Sequence, residues 1–222
     1  VDDIPLVVPE VNPLDIEQHV KTNIIANPNC STIQMLVALK PIHERYKILD
    51  INVCTYQAVS GSGKKGVDEL LEQSYSYLNQ QDIKASVYPK QIAFNVIPFV
   101  DSFCENGYTK EEMKMVWETQ KILSKDITVN ATAVRVPVLI GHSESITIET
   151  ESPIDIKDVI SDFKDSEGIE LIDNPDNDEY PTAFINGHGT DKVYVGRVRK
   201  SLNSDNILNI WVVADNVRKG AA

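Results

Sequence analysis

Apolar residues recur at helical spacing in some stretches of the chain and alternate with polar ones in others, and this change of period sets the expected architecture. Ile33, Leu36, Val37 and Leu39 give one buried face to a helix from about Ser31 to Lys40. Leu70, Leu71, Tyr75 and Leu78 do the same for 67–79. Thr109-Lys110-Glu111-Glu112 is a capping box, in which hydroxyl and carboxylate each satisfy the other's backbone N–H; it opens a helix carrying Met113, Val116, Trp117 and Leu123 inward. A further helix is expected from Asp155 to Phe163.

Strands are expected at Tyr46–Gln57, at Gln91–Pro98 as a short buried strand, and at Ile127–Leu139. Gly141 then turns the chain, and Ser145–Glu151 returns with Ile146 and Ile148 alternating against Thr147 and Glu149. Ile169–Ile172 is another strand, and Lys192–Arg199 with Asn206–Ala214 reads as an antiparallel pair around Asn203-Ser204-Asp205. Ser60-Gly61-Ser62-Gly63-Lys64-Lys65-Gly66 reads as a glycine-rich loop, and Asp173–Asn177 as a turn-rich one. Antiparallel strands interrupted by helices imply an α+β fold, a large mixed, mostly antiparallel sheet with helices covering one face.

The chain's 222 residues, 42% of them hydrophobic, suffice for one domain with a substantial core. A formal charge of −12 argues against nucleic acid as a partner, because phosphate backbones demand a basic surface. Much of the acidity lies between Glu149 and Glu179, a solvated edge. No apolar run approaches a membrane span, so no membrane partner is expected. Three cysteines without paired spacing fit a reducing cytoplasm, and no metal site is expected. The chain opens in the extended Leu6-Val7-Val8-Pro9 and stops at Lys219-Gly220-Ala221-Ala222, just where Asn216 to Lys219 could cap a new helix. A piece of a longer protein is the expectation.

Chemistry concentrates around Asn27-Pro28-Asn29-Cys30-Ser31-Thr32, where a turn delivers Cys30 to the first turn of a helix. Unpaired N–H groups and the helix dipole favour a thiolate there, and the thiolate is the attacking species. A buried structural cysteine is the plainer reading, and it is the one given to Cys54 and Cys104. His142, after Gly141 at a strand end, is the best acid/base partner; His19, His43 and His188 lie in surface-like or glycine-flanked segments. Arg135, inside an apolar strand, must be paired, either with a structural carboxylate or with a carboxylate of the substrate. Gln57 ends its strand as a hydrogen-bonding group. Glu111 and Lys114, three apart on a helix, read most simply as an exposed ion pair.

Taken together, these residues resemble the aspartate-β-semialdehyde dehydrogenase family. NPNCST at 27–32, TYQAVSGSG at 55–63, ENGYTKEEMK at 105–114, RVPV and GHSE between 135 and 144, and WVVADNVRKGAA at 211–222 match in order, over essentially the whole chain. The resemblance implies the catalytic domain fold of glyceraldehyde-phosphate-dehydrogenase-type enzymes. It also implies NADP-dependent reductive dephosphorylation of L-aspartyl-4-phosphate to L-aspartate-4-semialdehyde, in lysine, threonine and methionine biosynthesis. By motif, Cys30 is the nucleophile that forms a thioester, His142 the acid/base, and Gln57 the residue that orients the acyl group. Arg135 holds the substrate carboxylate, Glu111 its amino group, and Asn29 and Lys114 the phosphate. Ser60, Gly61 and Asn216 border the nicotinamide of NADP.

Such proteins begin with a dinucleotide-binding domain whose glycine-rich turn has no counterpart before Val1. Residues 1–222 therefore correspond to the catalytic and dimerisation domain, without most of the NADP site or the phosphate-site arginine that the other domain supplies. The resemblance further implies a homodimer formed through the large sheet, and no turnover by this chain alone. The alternatives are a related acyl-phosphate reductase such as N-acetyl-glutamyl-phosphate reductase, a non-catalytic dimerising scaffold, and a Cys–His hydrolase. A Cys–His hydrolase leaves the phosphate-type charges without a role.

Overall fold

A computed structural model describes residues 4–221. Its centre is a six-stranded sheet ordered β2-β1-β3-β6-β5-β4. The strands are β1 (Ile48–Gln57), β2 (Thr128–Arg135), β3 (His142–Thr150), β4 (Ile169–Leu171), β5 (Val193–Lys200) and β6 (Ile207–Ala214). The β1–β3, β3–β6 and β5–β6 pairs are antiparallel, and β1–β2 and β4–β5 are parallel. This is the mixed, mostly antiparallel α+β sheet expected. One expected neighbour relation is corrected: β3 does not return against β2, because β1 lies between them.

Helix α1 (Cys30–Tyr46) crosses one face of the sheet and touches β1, β3, β5 and β6. Ile33, Leu36, Val37 and Leu39 are buried against it as their spacing requires. The helix does not stop at Lys40. It passes through Pro41, since Ile42 and Tyr46 beyond it are buried in the same core and outweigh the lost N–H. Helices α3 (Lys110–Ile122) and α4 (Ile156–Asp165) flank α1, and α2 (Gly63–Leu78) packs over a smaller cluster built on Val59, Leu70, Tyr88, Ile92 and Ile97.

Four local readings are corrected. The segment 60–66 is no loop: it is a short 3-10 turn, Val59–Ser62, running into α2. On α2 the buried stripe is Gly66, Glu69, Leu70 and Gln73, while Leu71, Tyr75 and Leu78 face outward. Polar residues are drawn inward because the segment after the helix needs hydrogen-bond acceptors. Glu69 accepts Ser86 N–H at 3.0 Å, and Gln73 Oε1 accepts the N–H groups of Ile92 and Ala93 at 2.9 and 3.1 Å. For the same reason 91–98 is irregular rather than a strand; its one ladder contact is an isolated bridge from Ile97 to Arg135. On α3 the capping box forms as expected, but Met115 takes the core position and Trp117 is exposed. Among the described residues no helix is long and apolar enough to cross a membrane.

Candidate active site

The site is assembled at the N-terminus of α1, where Asn29 is the cap. Its Oδ1 accepts the N–H groups of Ser31 and Thr32 at 3.0 and 3.3 Å, which fixes Cys30 as the first helical residue. Helix α3 approaches from the side with two carboxylates seven residues apart, two turns along one face. Glu118 accepts the Asn29 backbone N–H at 2.9 Å, and Glu111 accepts the Asn29 side-chain amide at 2.8 Å. The end of β1 adds Gln57, which is buried; its Nε2 donates to Ser31 Oγ at 3.0 Å and to Glu111 Oε1 at 3.1 Å. Gln57, Glu111 and Asn29 thus form one network that locks the cysteine turn between β1 and α3.

Asn29, Cys30, Gln57, Gly61, Asp101, Glu111, Lys114, Arg135 and His142 line one cavity of about 330 Å³. The structure therefore brings eight of the ten expected site residues together around a single space. The other two, Ser60 and Asn216, adjoin it: Ser60 Oγ donates to Asn216 Oδ1 at 3.0 Å, as does the backbone N–H of Gly141, which turns into His142 at φ +85°. Asp101 was not expected. It lies in an irregular segment and is identified only by its 3.1 Å ion pair with Lys114, which also pairs with Glu111 at 3.3 Å. The Glu111–Lys114 pair is accordingly not an exposed one; Glu111 is buried. Burial opposes the Lys114 charge, yet the two carboxylates outweigh it and hold the ammonium above its ordinary value.

Arg135 resolves a choice left open by the sequence. It is buried, forms no ion pair among the described residues, donates from Nη1 to the Ala58 carbonyl at 2.7 Å and lies 5.9 Å from the centre of the Tyr88 ring. Burial lowers its pKa, but an arginine stays charged at neutral pH. The cavity thus holds a guanidinium that no carboxylate among the described residues reaches at ion-pair distance, although Glu111 across the cavity eases its charge. Gly61 makes this possible, since a Cβ there would stand 2.8 Å from Arg135 Nη1 and 3.3 Å from His142 Nε2.

His142 is completely enclosed, and burial, with Arg135 adding to it, lowers its pKa well below the ordinary value. The ring is neutral at physiological pH. Its Nδ1 accepts the Ala58 N–H at 3.0 Å; a backbone N–H is only a donor, so this bond assigns the ring proton to Nε2. Nε2 has no partner among the described residues.

Cys30 departs from expectation. Some of the residue's surface remains open, but the sulfur is enclosed, and burial pushes the thiol up to about 12, with Glu111 adding to the rise. The Ser31 N–H and Arg135 pull the other way and are outweighed. The resting group is a thiol, not the thiolate that a helix start alone favours. Of the other cysteines, Cys54 is also raised by burial and does not touch the cavity.

A family model described as the semialdehyde dehydrogenase dimerisation domain matches residues 39–219. An aspartate-semialdehyde dehydrogenase of Shewanella sp. (strain DB6705) is 60% identical over 222 residues, covering 100% of this chain and 65% of that protein. The crystal structure of aspartate semialdehyde dehydrogenase II complexed with ASA from Vibrio cholerae superposes with a TM-score of 0.95 at 54% identity, over 98% of this chain and 64% of that one. An aspartate semialdehyde dehydrogenase with NADP from Candida albicans superposes at 0.70 and 25% identity, over 99% of this chain and 63% of that one. The chain spans just under two thirds of the length of these relatives.

Proposed function

The chain belongs to the semialdehyde dehydrogenase dimerisation-domain family, and from that premise we propose that it is the catalytic and dimerisation domain of an aspartate-semialdehyde dehydrogenase. The reaction is the NADP-dependent conversion of L-aspartyl-4-phosphate to L-aspartate-4-semialdehyde and phosphate. One observation carries this reading: a buried guanidinium without a carboxylate partner faces the same cavity as Cys30. A planar fork of donors suits a substrate carboxylate held bidentately.

The remaining roles follow from charge and position. Glu111 offers the substrate ammonium an anion, and Lys114 with Asn29 borders the phosphate. Cys30 Sγ bonds to the acyl carbon as the carbon–oxygen bond to phosphate breaks, leaving a thioester; the thiol proton balances the charge on the departing phosphate. Covalent attack of this kind divides one difficult displacement into two easier steps. His142 is the acid/base, entering as an Nε2–H donor toward the acyl oxygen, and Gln57 orients the acyl group.

Bare backbone at Gly61 and the Ser60–Asn216 pair suit the flat end of a nicotinamide, and the Candida albicans neighbour carries NADP. When bound, that group supplies the hydride that reduces the thioester. The rest of its site belongs to sequence outside these 222 residues, so this chain alone does not turn over. A second copy is the proposed partner, meeting the sheet face opposite α1, where Tyr56 and Trp211 pair with ring centres 5.4 Å apart.

The test is phosphate-dependent oxidation of aspartate semialdehyde by the full-length protein with NADP. Cys30→Ala, Gln57→Ala, Arg135→Ala and His142→Ala each lower the rate by orders of magnitude. Turnover that survives Cys30→Ala, or that needs no phosphate, rejects the proposal.

A further inference from the structure

Glu144 is a fully buried carboxyl to which none of the roles above assigns a task. Its position follows from strand periodicity, which sends alternate residues of β1 and β3 toward α1. At the site end of these strands, Gln57 and His142 line the cavity. Deeper in, Val53 pairs with Ile146, and both belong to the apolar core. Between these layers Thr55 pairs with Glu144. Glu144 thus occupies the layer directly beneath the site.

Helix α1 lies over this layer and contributes Gln34, also fully buried, one helical turn beyond Cys30. Gln34 stands close enough to Glu144 to ease its charge slightly, although neither side chain reaches strict hydrogen-bond geometry with any described residue. No cation is paired with Glu144 among the described residues. Cys30 on α1 feels its charge, His142 precedes it by two residues on β3, and Arg135 and Glu111 line the cavity above this layer. An isolated carboxylate is costly in such a place. A carboxyl that keeps its proton has one donor and one acceptor, which match the two ends of an amide.

We propose that Glu144 is a positioning residue that acts uncharged, pairing with Gln34 to fasten β3 to α1 one layer beneath Cys30 and His142. This deepens the reading of Cys30 as nucleophile and rests on it. Two elements bearing the two reacting side chains are thereby held in register from below, while Gln57 and Glu111 hold the start of α1 from the side. The uncharged state matters because a carboxylate at 144 opposes formation of the thiolate. Burial supports the same state, holding the Glu144 carboxyl well above its ordinary value.

The experiment follows the rate of Cys30 alkylation at pH 7, resolved by peptide mass spectrometry, together with kcat and KM of the full-length enzyme. Glu144→Gln preserves one donor and one acceptor. Its alkylation rate at pH 7 is expected to match the parent's, with kcat within about twofold. Glu144→Leu and Gln34→Leu are each expected to lower kcat about tenfold with KM nearly unchanged. An alkylation rate at pH 7 about tenfold above the parent's in Glu144→Gln means that the parent carries a charge at 144, and overturns the proposal. Parental kcat in both leucine variants also overturns it. If Glu144→Leu fails to fold, Gln34→Leu and the Glu144→Gln alkylation rate still decide. Failure of the nucleophile reading is separate: it appears as full turnover in Cys30→Ser.

Discussion

Gly220 lies directly against Cys30. A Cβ at position 220 would stand 2.8 Å from the Cys30 Cα and 3.2 Å from its backbone nitrogen, closer than ordinary packing allows. The contact is held on both sides, since the Asn27 amide donates to the Gly220 carbonyl and Lys219 pairs with Glu10. The segment carrying Gly220 thus forms one wall around the cysteine and adds to the burial that raises its thiol.

The magnitudes explain why. A helix N-terminus stabilises a nearby charge by about 0.3–2 kcal/mol, little more than one pKa unit, whereas full burial shifts a group by about 3–5 units. Cys30 is accordingly expected to be unreactive at rest. With iodoacetamide, the logarithm of its alkylation rate should climb with pH beyond 9 without a plateau, in keeping with a thiol near 12. A plateau near pH 7 would show that the thiolate is already formed.

Gly220→Ala tests the wall itself. The added methyl must displace the first turn of α1 or the segment that carries Gly220, an overpacking cost of about 1–3 kcal/mol. Reduced stability in urea and faster alkylation of Cys30 are expected, because the wall moves outward. Unchanged unfolding and unchanged alkylation would mean that the contact yields without consequence.

His142 should be neutral throughout the working pH range, with its proton on Nε2. Nitrogen-15 NMR distinguishes the two ring tautomers directly, and the other three histidines can be assigned by substitution. The expected spectrum shows no His142 titration between about pH 5 and 8 and a protonated Nε2. A proton found on Nδ1 contradicts the bond from Ala58.

What was legible in the chain was local chemistry. The capping box of Thr109 and Glu112 on α3 depends on residues three apart and formed as expected, and the turn into α1 at Cys30 formed too, with Asn29 as a cap that the sequence reading did not assign. The supports of the site depend on distant partners: Gln57 meets Glu111 across 54 residues, and Asn29 meets it across 82. No spacing announces such bonds. Apolar periodicity misled where polar groups had a stronger claim on the interior. Leu71, Tyr75 and Leu78 gave way to Glu69 and Gln73 because the backbone at 86–93 needed acceptors. The thiolate expectation failed similarly, since helix position can be read from a turn and burial by Gly220 cannot.

Arg135→Lys should separate charge from geometry. Lysine keeps the cation but loses the planar fork and the Nη1 bond to the Ala58 carbonyl. A fall in kcat/KM of about a hundredfold, near 2.7 kcal/mol, is expected for the full-length enzyme. Activity close to the parent's would show that a point charge suffices and that the fork does not recognise the substrate.

The proton on Glu144 also sets a pH dependence of stability whose sign can be worked out. Its folded pKa lies above the unfolded value, so between the two the native state binds more protons than the unfolded chain. Stability from this group is therefore complete below the unfolded carboxyl range, near pH 4.5, and is lost as pH rises toward the folded value. His142 has the opposite sign: its folded pKa is depressed, so its contribution is complete above about pH 6.5 and fades as pH falls. Comparing the parent with Glu144→Gln cancels the histidine, because both proteins contain it. The unfolding free energy of Glu144→Gln should gain on the parent as pH rises from about 5.5 to 7, by at most about 1.4 kcal/mol per unit. A difference that stays flat across that range, or shrinks, would mean that Glu144 ionises in the folded protein much as it does in water.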